Sequence, residues 1–125
     1  MAEISHWKFL VVEDEPDGQT ILAGLLRHAH IDTCVVGSAE EALKNLATFI
    51  YTGVVIDLGL PGMDGMGLIK VIRSSSTLAH LPCMAVTAFH SSKVKKLALE
   101  AGFNEYVSKP IDRTMLIEAL NRIII

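Results

Sequence analysis

Four apolar runs in the sequence each deliver a residue that can do chemistry. Trp7–Glu13 closes on the acidic pair Glu13-Asp14, Val54–Ile56 on Asp57, Cys83–Val86 on Thr87, and Glu105–Ser108 on Lys109. Three carboxylates drawn together repel one another and call for a cation. An all-oxygen ligand set suits Mg²⁺, which usually keeps several waters and takes few carboxylates plus a phosphate. A carboxylate beside such a cation can attack phosphorus and form an acyl phosphate. An ammonium and a hydroxyl opposite would then hold the phosphoryl oxygens. Each residue alone has a plainer reading: Asp14 as the cap of a following helix, Asp57 as a turn residue, Thr87 as a strand-end threonine, Lys109 as a solvated lysine. The chemical reading depends on all five meeting at one edge, and so on the fold.

The elements that must position them alternate strand and helix from end to end. After the first strand, Pro16 sits where a first helical turn tolerates proline, and Ile21, Leu22, Leu25, Leu26 and Ala29 follow at helical spacing. Thr33–Val36 is a short second strand. Ser38 with Glu41 matches a capping box for a helix whose inward residues are Ala39, Ala42, Leu43 and Leu46. Val54–Ile56 is the third strand, and the turn-rich loop Leu58–Gly65 leads to a helix carrying Leu68, Ile69 and Ile72. Pro82 opens the fourth strand. Val94, Leu97, Ala98 and Ala101 mark a fourth helix stopped at Gly102. Asp112 caps a last helix with Leu116, Leu120 and Ile123 inward. Five βα units in tandem imply an α/β class: one doubly wound, flavodoxin-like (βα)5 domain over residues 1–125, with a parallel sheet in the order 2-1-3-4-5. In such a sheet the ligand site lies at the carboxyl ends of the strands, where Glu13, Asp14, Asp57, Thr87 and Lys109 all fall.

Composition bounds the function classes. The 125 residues carry a net charge of −3, which argues against a chain built to bind nucleic acid directly. Cys34 and Cys83 form no CxxC motif and sit in apolar runs, as buried free thiols of a reducing compartment would. The longest early apolar run, Phe9–Val12, is too short for a signal peptide or a membrane span, so a soluble, cytoplasmic chain is expected.

The stretches FLVVEDEP at 9–16, VVIDLGLPGMDG at 54–65, AVTA at 85–88 and YVSKP at 106–110 together resemble the receiver domain of bacterial two-component response regulators. The resemblance covers nearly the whole chain and implies roles residue by residue. Asp57 is the phosphoacceptor, taking a phosphoryl group from a sensor histidine kinase or phosphotransfer protein in a Mg²⁺-dependent reaction. Asp14, Glu13, Asp57 and the backbone carbonyl of Gly59 hold the Mg²⁺. Thr87 and Lys109 bind the phosphoryl group. Tyr106 is the switch aromatic that turns inward as the threonine moves, and the Lys109-Pro110 bond is cis. The chain would be a regulatory phosphoacceptor rather than an enzyme, limited to its own phosphorylation and autodephosphorylation. The readout would be a change in the face of the fourth helix, fifth strand and fifth helix, met by an output domain, a protein partner or a second copy of the chain. Leu60 stands where methionine is frequent, and Gly59 and Phe89 are the positions expected to set water's access to the acyl phosphate.

Three rival readings carry their own tests. A flavin-binding module on this fold would need phosphate donors after the first strand, but the loop EDEPDG is acidic. An aspartyl-phosphate hydrolase would show a second acid where Gly59 stands. A degenerate receiver that only binds proteins would lack some of the five residues present here. The apolar end Ile123-Ile124-Ile125 favours a domain excised from a longer protein over a complete single-domain regulator, and no output domain is visible in this chain.

Overall fold

The computed structural model describes residues 6–124. Five strands and five helices alternate: β1 Lys8–Val12, α1 Pro16–His28, β2 Asp32–Val36, α2 Ala39–Thr48, β3 Gly53–Asp57, α3 Gly65–Ser74, β4 Cys83–Thr87, α4 Ser92–Ala101, β5 Glu105–Ser108 and α5 Arg113–Ile123. All pairings are parallel, in the order β2-β1-β3-β4-β5 expected from the sequence. The strand interiors are apolar because both sheet faces are covered. Leu10, Val12, Val54, Ile56, Cys83 and Ala85 pack into one core with the inward residues of α2 and α3, together with Ala98 of α4. Phe9, Val11, Val55, Met84 and Val86 alternate with them into a second core against α1 and α5.

Boundaries shift slightly from those read in the sequence. Trp7 and Glu13 flank β1 rather than belonging to it, and β3 and β4 extend to include Asp57 and Thr87. Two helical stripes are narrower than expected. Ile21 is 56% exposed, because α1 buries Leu22, Ala23 and Leu26 and the preceding position lies well round the helix. In α4 only Ala98 is buried and Leu97 faces outward. Both cysteines are free; Cys83 is buried, Cys34 half-buried. Ile125, the end of the apolar tail, lies outside the described residues.

Caps close the loops that leave the site. Asp64, Ser91 and Asp112 each accept the backbone N–H three residues on, from Gly67, Val94 and Met115, at 2.8–3.0 Å. Each such cap contributes about 1 kcal/mol and fixes where α3, α4 or α5 begins. Ser38 caps α2 likewise, but Glu41 answers to the N–H of Gly37 rather than closing the reciprocal box. Asp14 caps nothing. The N-cap of α1 is Glu15, whose side chain makes no cap bond, and Pro16 supplies the preset first turn. Gly102 ends α4 at φ +124°, a conformation that side chains disfavour.

Candidate functional site

Strand register brings the five residues together. Val12 is level with Ile56, so Glu13 follows β1 beside Asp57. Asp57 is level with Val86, which places Thr87 one step further on β4. Thr87 is level with Ser108, so Lys109 leaves β5 immediately beyond, its N–H donating to the carbonyl of Thr87 at 2.8 Å. The Lys109-Pro110 peptide is cis. Glu13, Asp57 and Thr87 are buried and Asp14 half-buried.

Lys109 links two of the carboxylates. Its Nζ donates to Glu13 Oε1 at 2.5 Å and to Asp57 Oδ2 at 2.8 Å. The other Asp57 oxygen, Oδ1, accepts the backbone N–H of Gly59 at 2.7 Å, so both acceptor atoms of Asp57 have fixed partners. Burial works to raise Asp57, but the hydrogen bonds from Lys109, from Glu13 and from the Gly59 N–H outweigh it and hold the carboxyl below its ordinary value. Glu13, with no exposed surface, goes the other way: burial raises its carboxyl, and Lys109 only partly offsets this. Of the two acids sharing one ammonium, Glu13 therefore keeps its proton longer. Burial lowers Lys109, but its two carboxylate partners more than reverse that and strengthen its hold on its proton.

The donor set fits a small hard cation. One carboxylate oxygen from each of Glu13, Asp14 and Asp57 lies within 4.8 Å of the others. With all groups ionised, three carboxylates against one ammonium leave two negative charges, which a divalent ion would neutralise. Thr87 Oγ1 accepts the N–H of Phe89 at 3.1 Å, and Phe89 itself is 83% exposed. Tyr106 is buried on β5.

Sequence reading missed three supporting residues. Gly18, in the first turns of α1, lies against Glu13; a Cβ there would stand 2.2 Å from Oε1. Gln19 donates from Nε2 to the Glu13 carbonyl at 2.7 Å. His90 is exposed, yet its Nδ1 meets the Tyr106 hydroxyl at 3.0 Å. A glycine inside a helical run was the available signal for the first. Nothing in the sequence pairs His90 with a residue sixteen positions on.

Among the described residues no helix is long and apolar enough to cross a membrane. The family model described as "Response regulator receiver domain" matches residues 9–121. The chain is 33% identical over 122 residues to an uncharacterised 14.6 kDa protein of Leptolyngbya boryana, covering 98% of this chain and 93% of that one. It is 35% identical over 103 residues to the DNA-binding response regulator MtrA of Mycolicibacterium smegmatis, covering 82% of this chain but only 44% of the relative. Among solved structures, a response regulator of Chloroflexus aurantiacus superposes with a TM-score of 0.91 at 30% identity, covering 94% of this chain and 97% of that one. The receiver domain of the sensor histidine kinase PA1611 from Pseudomonas aeruginosa, with a magnesium ion coordinated in its active-site cleft, gives 0.87 at 30% identity over 94% and 97% of the two chains.

Proposed function

The chain belongs to the response regulator receiver domain family, and from that premise we propose that it is a phosphoacceptor switch in which Asp57 takes a phosphoryl group from a phosphohistidine. The observation that carries this reading is the Asp57 carboxylate itself, aimed by the Gly59 N–H on one oxygen and by Lys109 on the other. Glu13, Asp14, Asp57 and the Gly59 carbonyl would hold a Mg²⁺ ion, which supplies charge neutralisation and orientation of the incoming phosphoryl group.

An oxygen of Asp57 attacks phosphorus as the P–N bond to the donor imidazole breaks. The N–H of Gly59 keeps Oδ1 in place, because it is backbone and cannot follow the phosphoryl group. Lys109 can follow: its flexible stem allows Nζ to exchange Asp57 Oδ2 for a phosphoryl oxygen while Glu13 continues to steady it. The Thr87 hydroxyl, already accepting from Phe89, still has its own proton to donate to the phosphoryl group. Phosphorylation replaces one carboxylate charge with a group of about −2 bearing strong acceptors. Thr87 moves to meet it, Tyr106 responds, and the face of α4, β5 and α5 changes.

The donor is a sensor histidine kinase or phosphotransfer protein, and the chain acts in the cytoplasm. The α4–β5–α5 face receives an output domain, a protein partner or a second copy. Since the chain spans only 44% of the response regulator MtrA, an output domain joined in the same polypeptide is one form this partner would take. Intact mass after incubation with a small acyl-phosphate donor tests the reading. One phosphoryl adduct, dependent on Mg²⁺ and lost in Asp57→Asn, is expected. A folded chain with no adduct and no Mg²⁺ binding would instead mark a receiver that works only as a protein-binding module.

A further inference from the structure

Between Thr87 and Ser91, the cap of α4, run three residues: Ala88, Phe89 and His90. This short loop is tied at two places. The Thr87 hydroxyl accepts the N–H of Phe89 at 3.1 Å, and one residue later His90 Nδ1 meets the Tyr106 hydroxyl at 3.0 Å. The two rings also pack, with centroids 5.5 Å apart and planes tilted by 48°. The Tyr106 ring lies in the core beside Ala85, its neighbour across the sheet, and is only 7% exposed. Its hydroxyl has no other hydrogen-bond partner among the described residues. The imidazole is solvent-exposed, so the bond joins a buried ring to a surface loop. It stands at the rim of a groove of about 260 Å³ lined by Lys95, Met115, Glu118 and Arg122.

We propose that His90 is a positioning residue of the switch: its Nδ1 anchors the Tyr106 hydroxyl, so the loop led by Thr87 and the buried ring move as one unit. The inference rests on the phosphoacceptor reading, in which Thr87 shifts toward a phosphoryl group on Asp57. When that hydroxyl moves, the Phe89 N–H goes with it or is released, and His90, one residue further, carries the displacement to Tyr106. The link is a directional bond between side chains, so it transmits position as well as space. Because the groove beside it faces the α4–β5–α5 side, the coupling delivers its effect where a partner would sense it.

The two tyrosines can be labelled as 3-fluorotyrosine and separated in ¹⁹F spectra with Tyr51→Phe. A dissolved paramagnetic chelate then reports how exposed the Tyr106 ring is, in the full chain and in His90→Ala and His90→Asn. Asparagine places a polar atom near that of Nδ1 but has no ring to pack. Several-fold greater broadening of the Tyr106 signal in His90→Ala, returned to the parent level in His90→Asn, is expected. Beryllofluoride with Mg²⁺, standing in for the phosphoryl group, gives its own bound ¹⁹F signal, expected equally in all three because His90 touches no reacting group. Equal broadening in His90→Ala and the parent would overturn the proposal. Failure of His90→Asn to restore the parent level would overturn the hydrogen-bonded anchor in favour of ring packing alone. Absence of bound beryllofluoride in the parent would remove the phosphoacceptor reading and with it the switch role, while the broadening comparison would still decide whether His90 positions Tyr106.

Discussion

Replacing Gly18 by alanine should destabilise the protein, although alanine is the better helix former. A Cβ at position 18 would lie 2.2 Å from Glu13 Oε1, 2.6 Å from Cδ and 3.0 Å from Cγ. Ordinary contact begins near 3.4 Å, so the carboxylate must retreat by roughly 1 Å. It cannot retreat toward Lys109, whose Nζ already stands at 2.5 Å, and it has no exposed surface through which to reach water. Weakening that charge-assisted bond costs about 1.5–3 kcal/mol. Relief of glycine's helix penalty returns about 0.5–1 kcal/mol. The net expectation is a loss of about 1–2 kcal/mol, or about 4 °C in Tm for each kcal/mol in a chain of this size. Urea unfolding followed by the fluorescence of Trp7, buried at the other end of β1 from the site, reads this without interference from Mg²⁺. Repeating Gly18→Ala in a Glu13→Ala background removes the clash, and there the same substitution should stabilise by about 0.5–1 kcal/mol. If alanine has the same effect in both backgrounds, Glu13 is not confined as described and the reasoning fails.

The remaining expectations concern other parts of the molecule. Arg73 donates to the carbonyls of Gly102, Ala79 and Leu81 and to Asn104 Oδ1, tying α3 to the ends of α4 and β4, so Arg73→Lys should cost about 2–3 kcal/mol in urea unfolding; a change within about 0.5 kcal/mol would show these bonds to be replaceable. Burial raises the Glu13 carboxyl above its ordinary 4.5, so its protonated form favours folding and that contribution fades as pH rises through its folded-state value. Glu13→Gln lacks this decline and should gain stability relative to the parent as pH rises from about 4.5 toward neutrality, while binding Mg²⁺ more weakly; a relative stability that is flat or falls with pH would contradict the assignment. Burial pushes the Cys83 thiol up to about 11, so iodoacetamide at pH 8 should label it only on unfolding, and rapid native labelling seen by peptide mass would be incompatible with its packing.

Much of this was legible in the sequence because parallel strands covered on both faces leave continuous apolar runs. The residue ending each run then falls at a predictable edge, which is where Glu13, Asp57, Thr87 and Lys109 stand. Ile21 and Leu97 were misplaced because helical spacing marks an apolar stripe but not its width. Asp14 reads equally well as a helix cap, yet Glu15 holds that position and α1 starts at Pro16, a proline that needs no N–H partner. What stayed hidden were contacts between side chains distant in sequence: the space Gly18 leaves for Glu13, and the meeting of His90 with Tyr106. Such pairings depend on rotamers and loop paths, which residue type and period do not encode.

The central claim is that Asp57 carries the phosphoryl group, and its acyl phosphate can be located directly. Borohydride reduction after exposure to an acyl-phosphate donor and Mg²⁺ converts a phosphorylated aspartate to homoserine, which peptide mass spectrometry places in the chain. Homoserine at position 57 alone, absent when Mg²⁺ is chelated, is the expected result. Homoserine at another aspartate, or none in a folded chain that nonetheless gains a phosphoryl group, would contradict the account.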